Sequence, residues 1–192
     1  MTARLAMPTD SAALLAIYAR YIATSITFEY ELPSVAQFAA RIEDVLRVYP
    51  YIALFEGSRA IAYAYTHRFK ERAAYSWCAE CSIYIDPDFT HQGIGSRLYQ
   101  VLFEISRLQG VRELFAVVTT PNEPSARLHA KMGFVRAGLY RNAGYKNDLW
   151  WDISIFQKSL QADCADTDAP LPLKSISEID AEIINKICKK YF

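Results

Sequence analysis

At 192 residues, 52% hydrophobic and 22% charged, the chain is long enough to bury one sizeable core and short for two ordinary domains. Twenty-one basic and twenty-one acidic side chains cancel to a formal net charge of zero, which argues against nucleic acid or an anionic membrane as a partner. No run approaches the roughly eighteen apolar residues of a spanning helix, and Met1-Thr2-Ala3-Arg4 lacks the basic-then-apolar plan of a leader, so a cytoplasmic location is expected.

Thr9-Asp10-Ser11 offers N-cap oxygens to an apolar helix running to about residue 21. Residues 24–33 form a polar and aromatic loop. Ser34 then caps a second helix with Val35, Phe38, Ile42, Val45 and Leu46 on one face, closed by Pro50. Strands at 51–55 and 60–65 flank Glu56-Gly57-Ser58-Arg59, a hairpin signature. The next strand is read over 74–85. It carries Cys78 and Cys81, and at that spacing a strand turns the two thiols to opposite faces, so neither a shared metal nor a bridge is expected. With Cys164 and Cys188 they suit a reducing compartment.

That strand ends at Asp86-Pro87 and turns through Gly93 and Gly95 into a helix over 93–109, with Leu98, Val101, Leu102 and Ile105 on its buried face and Gly110 as its stop. Without a Cβ the two glycines bring successive amides close together, and the helix adds its free first-turn N–H groups and positive dipole end. A pyrophosphate would be held there without any lysine. A buried strand at 114–118 follows, then a short helix from Pro121-Asn122-Glu123-Pro124-Ser125 to Met132, stopped at Gly133, and two last strands at 134–141 and 150–158. The order is mixed α/β with a β-α-β unit in the middle.

Residues 161–174, with three aspartates and two prolines, read as a linker. Ser175 or Ser177 would cap a helix over 175–192 whose stripe is Ile176, Ile179, Ile183 and Ile187, docking on its own domain or on a partner. The main domain is thus placed at 1–160.

By this point the chain resembles the GNAT superfamily of acetyl-CoA-dependent N-acetyltransferases, within it the phosphinothricin and methionine sulfoximine acetyltransferase branch. The carriers are residues 69–80 with Trp77-Cys78-Ala79-Glu80, the Ser82-Ile83-Tyr84-Ile85 strand end, Gly93-Ile94-Gly95-Ser96-Arg97-Leu98-Tyr99, Pro121-Asn122-Glu123-Pro124-Ser125-Ala126-Arg127-Leu128-His129, Gly133-Phe134, and Gly144-Tyr145-Lys146 before Trp150-Trp151-Asp152. The resemblance implies a mixed, mostly antiparallel central sheet with helices on both faces and a splayed strand pair forming the acyl-CoA cleft. It implies acetyl-CoA as co-substrate, no metal, and a homodimer.

Acetyl transfer to an amine needs a deprotonated nucleophile, a polarised thioester carbonyl and a proton for the thiolate. The branch's catalytic glutamate maps onto Glu80, which the residues alone would read as a solvated strand carboxylate. The resemblance lays the pantetheine arm along the main chain of Ile83, Tyr84 and Ile85, and the pyrophosphate on the amides of His91, Gln92, Gly93, Ile94, Gly95 and Ser96. Asn122 and Ser125 match coenzyme contacts, Asn122 also being a natural N-cap. His129 stands where many relatives carry a tyrosine near the thiolate, so it is a general acid or an orienting histidine. Arg72 and Tyr75 match positions that grip a substrate's acidic group, with a solvated arginine as the alternative for Arg72; Phe28 would supply an apolar wall.

Two departures stand out. Thr90 occupies the loop position usually held by Gln or Arg, leaving Gln92 or Arg97 to supply part of that contact and weakening coenzyme affinity. Asn147 and Trp151 replace two histidines, which implies a remodelled pocket. The expected function is N-acetylation of a small amino acid of phosphinothricin, methionine sulfoximine or methionine sulfone type by direct attack in a ternary complex. The alternatives are an acyl-CoA-binding sensor and an acetyltransferase for a peptide N-terminus or an aminoglycoside.

Overall fold

The computed structural model describes residues 1–161 and 171–192. Alternation in β2 (Tyr51–Glu56) sends Tyr51 and Ala53 to one face and Ile52 and Leu54 to the other, so the strand is buried on both sides. It pairs antiparallel with β3 (Arg59–Arg68) across the turn at Gly57, and on its other edge with β1 (Thr2–Leu5). β3 pairs antiparallel with β4 (Cys78–Ile85), setting Tyr63 opposite Tyr84, Tyr65 opposite Ser82 and His67 opposite Glu80.

The chain crosses over through α3, numbered after the two helices before the sheet, α1 (Ser11–Ala19) and α2 (Val35–Leu46); α3 (Ile94–Gln109) leads into β5 (Glu113–Thr120), which runs parallel to β4. After α4 (Glu123–Lys131), β6 (Val135–Lys146) and β7 (Leu149–Ser159) form a hairpin, with β7 against β5 and β6 at the sheet edge. The order is β1-β2-β3-β4-β5-β7-β6, parallel only at β4–β5. This is the mixed, mostly antiparallel sheet that was expected.

Two cores cover the two faces. Leu14, Ile17, Tyr18, Phe38 and Ile42 of α1 and α2 pack on Tyr51, Ala53 and Tyr63. On the other face Leu98, Leu102 and Ile105 of α3 lie over Ile52, Leu54, Ile61 and Ala64, together with Ile184, Ile187 and Cys188 of α5 (Ala181–Tyr191).

Four local expectations shift. β1 is an additional strand, too short to show a period of its own. β4 starts at Cys78 rather than 74, because Ala73–Tyr75 forms a helical turn. Asp10 does not cap α1; its carboxylate accepts from Met7 N and pairs with Arg4 at 2.7 Å. In the C-terminal segment Ile179 is extended and Asp180 caps α5, which re-phases the helix: Ile184 is buried and Ile183 is 42% exposed. Positions 162–170, most of the expected linker, lie outside the described residues. Among the described residues no helix is long and apolar enough to cross a membrane, and no group of acidic, histidine and cysteine side chains gathers as a metal site.

Candidate active site

The β4–β5 ladder has three rungs, the last pairing Glu80 with Phe115. Beyond it the strands diverge, and Cys81–Ile85 on one side and residues 116–119 on the other line a cleft of about 640 Å³. Backbone groups that would have completed the ladder face this space, the arrangement a pantetheine amide can complete as a false strand. At the end of β4 the Tyr21 hydroxyl donates to the Ile85 carbonyl at 2.5 Å. At the base of the cleft the Cys81 thiol donates to the Phe115 carbonyl at 3.2 Å.

The cleft mouth is the turn before α3. His91 and Gly93 both take positive φ, 62° and 75°, and Thr90, His91, Gly93, Ile94, Gly95 and Ser96 border the cavity. Gly95 is closely packed: a Cβ there would lie 2.9 Å from a terminal methyl of Leu128 of α4, which would have to shift. The Thr90 hydroxyl donates back to the Pro87 carbonyl at 3.0 Å and so closes the preceding turn. Gln92 is exposed outside the cavity lining, and the Arg97 guanidinium sits 4.7 Å over the Phe192 ring at the C-terminus. Asn122 caps α4, accepting from Ser125 N at 3.3 Å, and both residues border the cleft.

His129 is 5% exposed, stacked on Phe156, with Nδ1 donating to the Ser125 carbonyl at 2.7 Å. That tautomer leaves Nε2 as acceptor for the Tyr99 hydroxyl, 2.6 Å away. Burial pushes its pKa down, the Ser125 hydrogen bond opposing. Both ring nitrogens are thus engaged and burial favours the neutral form, a geometry that suits the orienting alternative. Tyr99 borders the cleft and was not singled out from sequence; its i, i+4 spacing from Gly95 was the available signal.

A second cavity of about 470 Å³ lies against the outer face of β3 and β4. Ser82 and Tyr84 border both spaces, while Glu80 and His67 border only this one. The Glu80 carboxylate is largely buried, which raises its pKa above the usual carboxylate range; His67 across the ladder, with Nε2 at 3.8 Å, partly offsets this. The walls are tyrosines, with Tyr51 and Tyr65 stacked at 4.7 Å and Tyr63 against Tyr84 at 5.2 Å. Arg41 reaches the rim, paired with Glu29 at 2.6 Å.

The family model for the acetyltransferase (GNAT) domain matches residues 3–155. The chain belongs to the GNAT acetyltransferase family. It is similar to phosphinothricin N-acetyltransferases from Streptomyces viridochromogenes, 30% identical with 92% of this chain and 94% of that one covered, and from Alcaligenes faecalis, 36% identical with 88% and 86% covered. A GNAT superfamily phosphinothricin acetyltransferase from Sinorhizobium meliloti, solved with acetyl-CoA, superposes with a TM-score of 0.82 at 31% identity, covering 88% of this chain and 92% of that one. As a GNAT acetyltransferase the chain moves an acetyl group from acetyl-CoA to an amine. The splayed strands and the amide-rich turn fit that donor.

The GNAT site gathers most, not all, of the residues singled out from sequence. Ile83, Tyr84, Ile85, Asn122, Ser125 and His129 line the coenzyme cleft, and Glu80 the adjoining cavity. Arg72 is exposed and borders neither space; Tyr75 stands edge-on to Phe69 beneath the Lys70 ammonium. Phe28 turns away from both cavities onto Gly144, where a Cβ would come within 2.1 Å of the ring. Asn147 donates to the Ala23 carbonyl at 3.1 Å and Trp151 to the Lys146 carbonyl at 2.9 Å, so both replacements support the 22–29 loop and the hairpin end. His67 was missed. Counting the hairpin register across from Glu80 was the signal that could have found it.

Proposed function

We propose that this GNAT acetyltransferase acetylates the amino group of a small amino acid of the phosphinothricin or methionine sulfoximine type. The observation that carries the reading is the pair of cavities meeting at β4, with Ser82 and Tyr84 common to both and Glu80 in the smaller one. An amine in the tyrosine-walled space and a thioester in the cleft would face each other across a single strand.

In this reading Glu80 takes the proton from the amine, its raised pKa making it a stronger base than an ordinary carboxylate. Backbone N–H groups of β4 beyond Glu80 polarise the thioester oxygen, and the turn amides of 91–96 hold the pyrophosphate. The amine nitrogen attacks the thioester carbonyl of acetyl-CoA, the C–S bond breaks, and coenzyme A leaves as a thiolate that takes a proton from water. Arg41 is the guanidinium bordering the acceptor cavity and is assigned the substrate's acidic end, exchanging its Glu29 partner. Arg72 and Tyr75, on the turn from β3 into β4, are assigned outer contacts.

We also propose a homodimer built on the β6–β7 hairpin. β6 is a long edge strand, and Tyr140, Tyr145, Leu149 and Trp150 of this hairpin stand 45–63% exposed. A second copy of the chain covers this surface. Light scattering checks it: Trp150→Glu is expected to halve the mass.

The function is tested by thiol release from acetyl-CoA with phosphinothricin, methionine sulfoximine, methionine sulfone, a polyamine, an aminoglycoside and a peptide tried separately. Saturable turnover with one of the first three is expected. Turnover only with another amine overturns the substrate class, and silence across the panel with intact acetyl-CoA binding favours a sensor.

A further inference from the structure

Lys146 is 3% exposed at the end of β6, and among the described residues no carboxylate comes within ion-pair distance of it, Glu29 acting on its charge only from farther off. Its Nζ instead donates to three backbone carbonyls, those of Ile22 at 2.7 Å, Thr27 at 2.6 Å and Glu29 at 2.7 Å. An ammonium has three N–H bonds, so its donors are fully used. Burying a lysine is costly unless every donor is met, and here the partners that meet them come from one irregular loop.

That loop joins α1 to α2 without helix or strand across 26–34. It borders both cavities: Ile26 the coenzyme cleft, Thr27 and Glu29 the acceptor space. Thr27 Oγ1 lies 2.5 Å from the Tyr18 hydroxyl, another residue of the acceptor wall. One side chain more than a hundred positions away thus gathers three carbonyls that a free loop would turn to water.

We propose that the Lys146 ammonium is a positioning residue, clamping the 22–29 loop so that Thr27 and Glu29 form the amine-side wall. The inference rests on the proposed reading of the smaller cavity as the acceptor site. It assigns Lys146 no contact with either substrate. The clamp acts on binding of the amine, through the wall, and leaves the phosphate turn and the cleft between β4 and β5 as they are.

The test compares the wild-type chain with Lys146→Met, and with Asn147→Ala, which removes the exposed Asn147–Ala23 tie next to the same strand end, at a position of positive φ, 53°. Amide hydrogen exchange of the free protein is read first. Lys146→Met is expected to speed exchange over 22–30 by about tenfold or more while α3 and β5 keep their protection, with Asn147→Ala giving a smaller change in the same segment. In steady state Lys146→Met is expected to raise KM for the amine by about tenfold, with KM for acetyl-CoA and kcat each within about threefold. Unchanged exchange over 22–30 in folded Lys146→Met overturns the clamp. So does faster exchange with no change in KM for the amine. Should Lys146→Met not fold, Lys146→Gln, whose amide has two N–H donors for three carbonyls, is read instead, and unchanged exchange over 22–30 in it overturns the clamp. If the wild type acetylates no amine, the proposed function fails, while the exchange data still decide whether Lys146 holds the loop.

Discussion

Glu80 and Phe115 form the last rung of the β4–β5 ladder, and one residue later the sheet is open. The proposed base therefore stands where a continuous sheet becomes a cleft. Its backbone is held by strands on both sides, while the next residue borders the donor's space.

Replacing Glu80 tests the assignment in two directions. Glu80→Gln is expected to lower kcat by about a hundredfold or more, as loss of a general base does. It is also expected to raise the melting temperature at pH 7. Burial raises the folded-state pKa of Glu80 above its unfolded value, so the folded protein binds the proton more tightly and ionisation opposes folding. The penalty is absent below the unfolded pKa and fully present above the folded one, and Gln removes it. Kinetics and a thermal melt on one preparation read both.

The pH dependence follows from the same pair. The acid limb of kcat/KM should reflect a carboxylate above the ordinary Glu range, rising with pH as Glu80 ionises. In His67→Gln the limb should move to higher pH, since His67 lowers the Glu80 pKa from across the ladder. A pH profile of the two proteins decides, and an unmoved limb removes His67 from the site's electrostatics.

Tyr99→Phe leaves Nε2 of a buried histidine without its donor. A loss of about 1–3 kcal/mol of stability is expected, the cost of an unmet buried polar group. Denaturant unfolding measures it. His129→Gln should lower kcat less than tenfold if the imidazole orients rather than donates; a general acid would give a larger fall, about a hundredfold.

Gly144→Ala is expected to be far more damaging than an exposed glycine replacement, because the new Cβ would overlap the Phe28 ring. Overpacking of this kind costs about 1–3 kcal/mol. Phe28→Ala in the same chain should restore part of the loss, which a double-mutant cycle detects.

The C-terminal helix makes a sharp comparison. Ile184→Ala is expected to cost about 2–5 kcal/mol, and Ile183→Ala under about 1 kcal/mol, since 184 is 2% and 183 is 42% exposed. A larger loss at 183 than at 184 would mean that α5 packs in the phase read from sequence.

That phase was misread for a local reason. Counting isoleucines from 176 assumes one continuous helix, whereas the extended backbone of Ile179 and the Asp180 cap restart the count. The glycine turn into α3 was legible because its signals, two glycines beside an amphipathic helix, lie within a few residues of one another. The support of the amine side was not. Lys146 meets its carbonyls at separations of 117 to 124 residues, and a short motif ending in lysine says nothing about which loop will come to it. Arg97 shows the converse: near the turn in sequence, it is engaged by Phe192 at the other end of the chain.

In the proposed reading β4 serves two substrates by parity. Glu80, Ser82 and Tyr84 reach the amine side, while Cys81, Ile83 and Ile85 border the donor side alone. Substitution at Glu80, or at Cys81, Ile83 and Ile85, can tune one side alone, whereas a change at Ser82 or Tyr84 touches both. A single inserted or deleted residue cannot be absorbed in this way, for it would exchange the two alternating sets. In descendants of this chain, length between 78 and 85 is the property to which selection should be least tolerant.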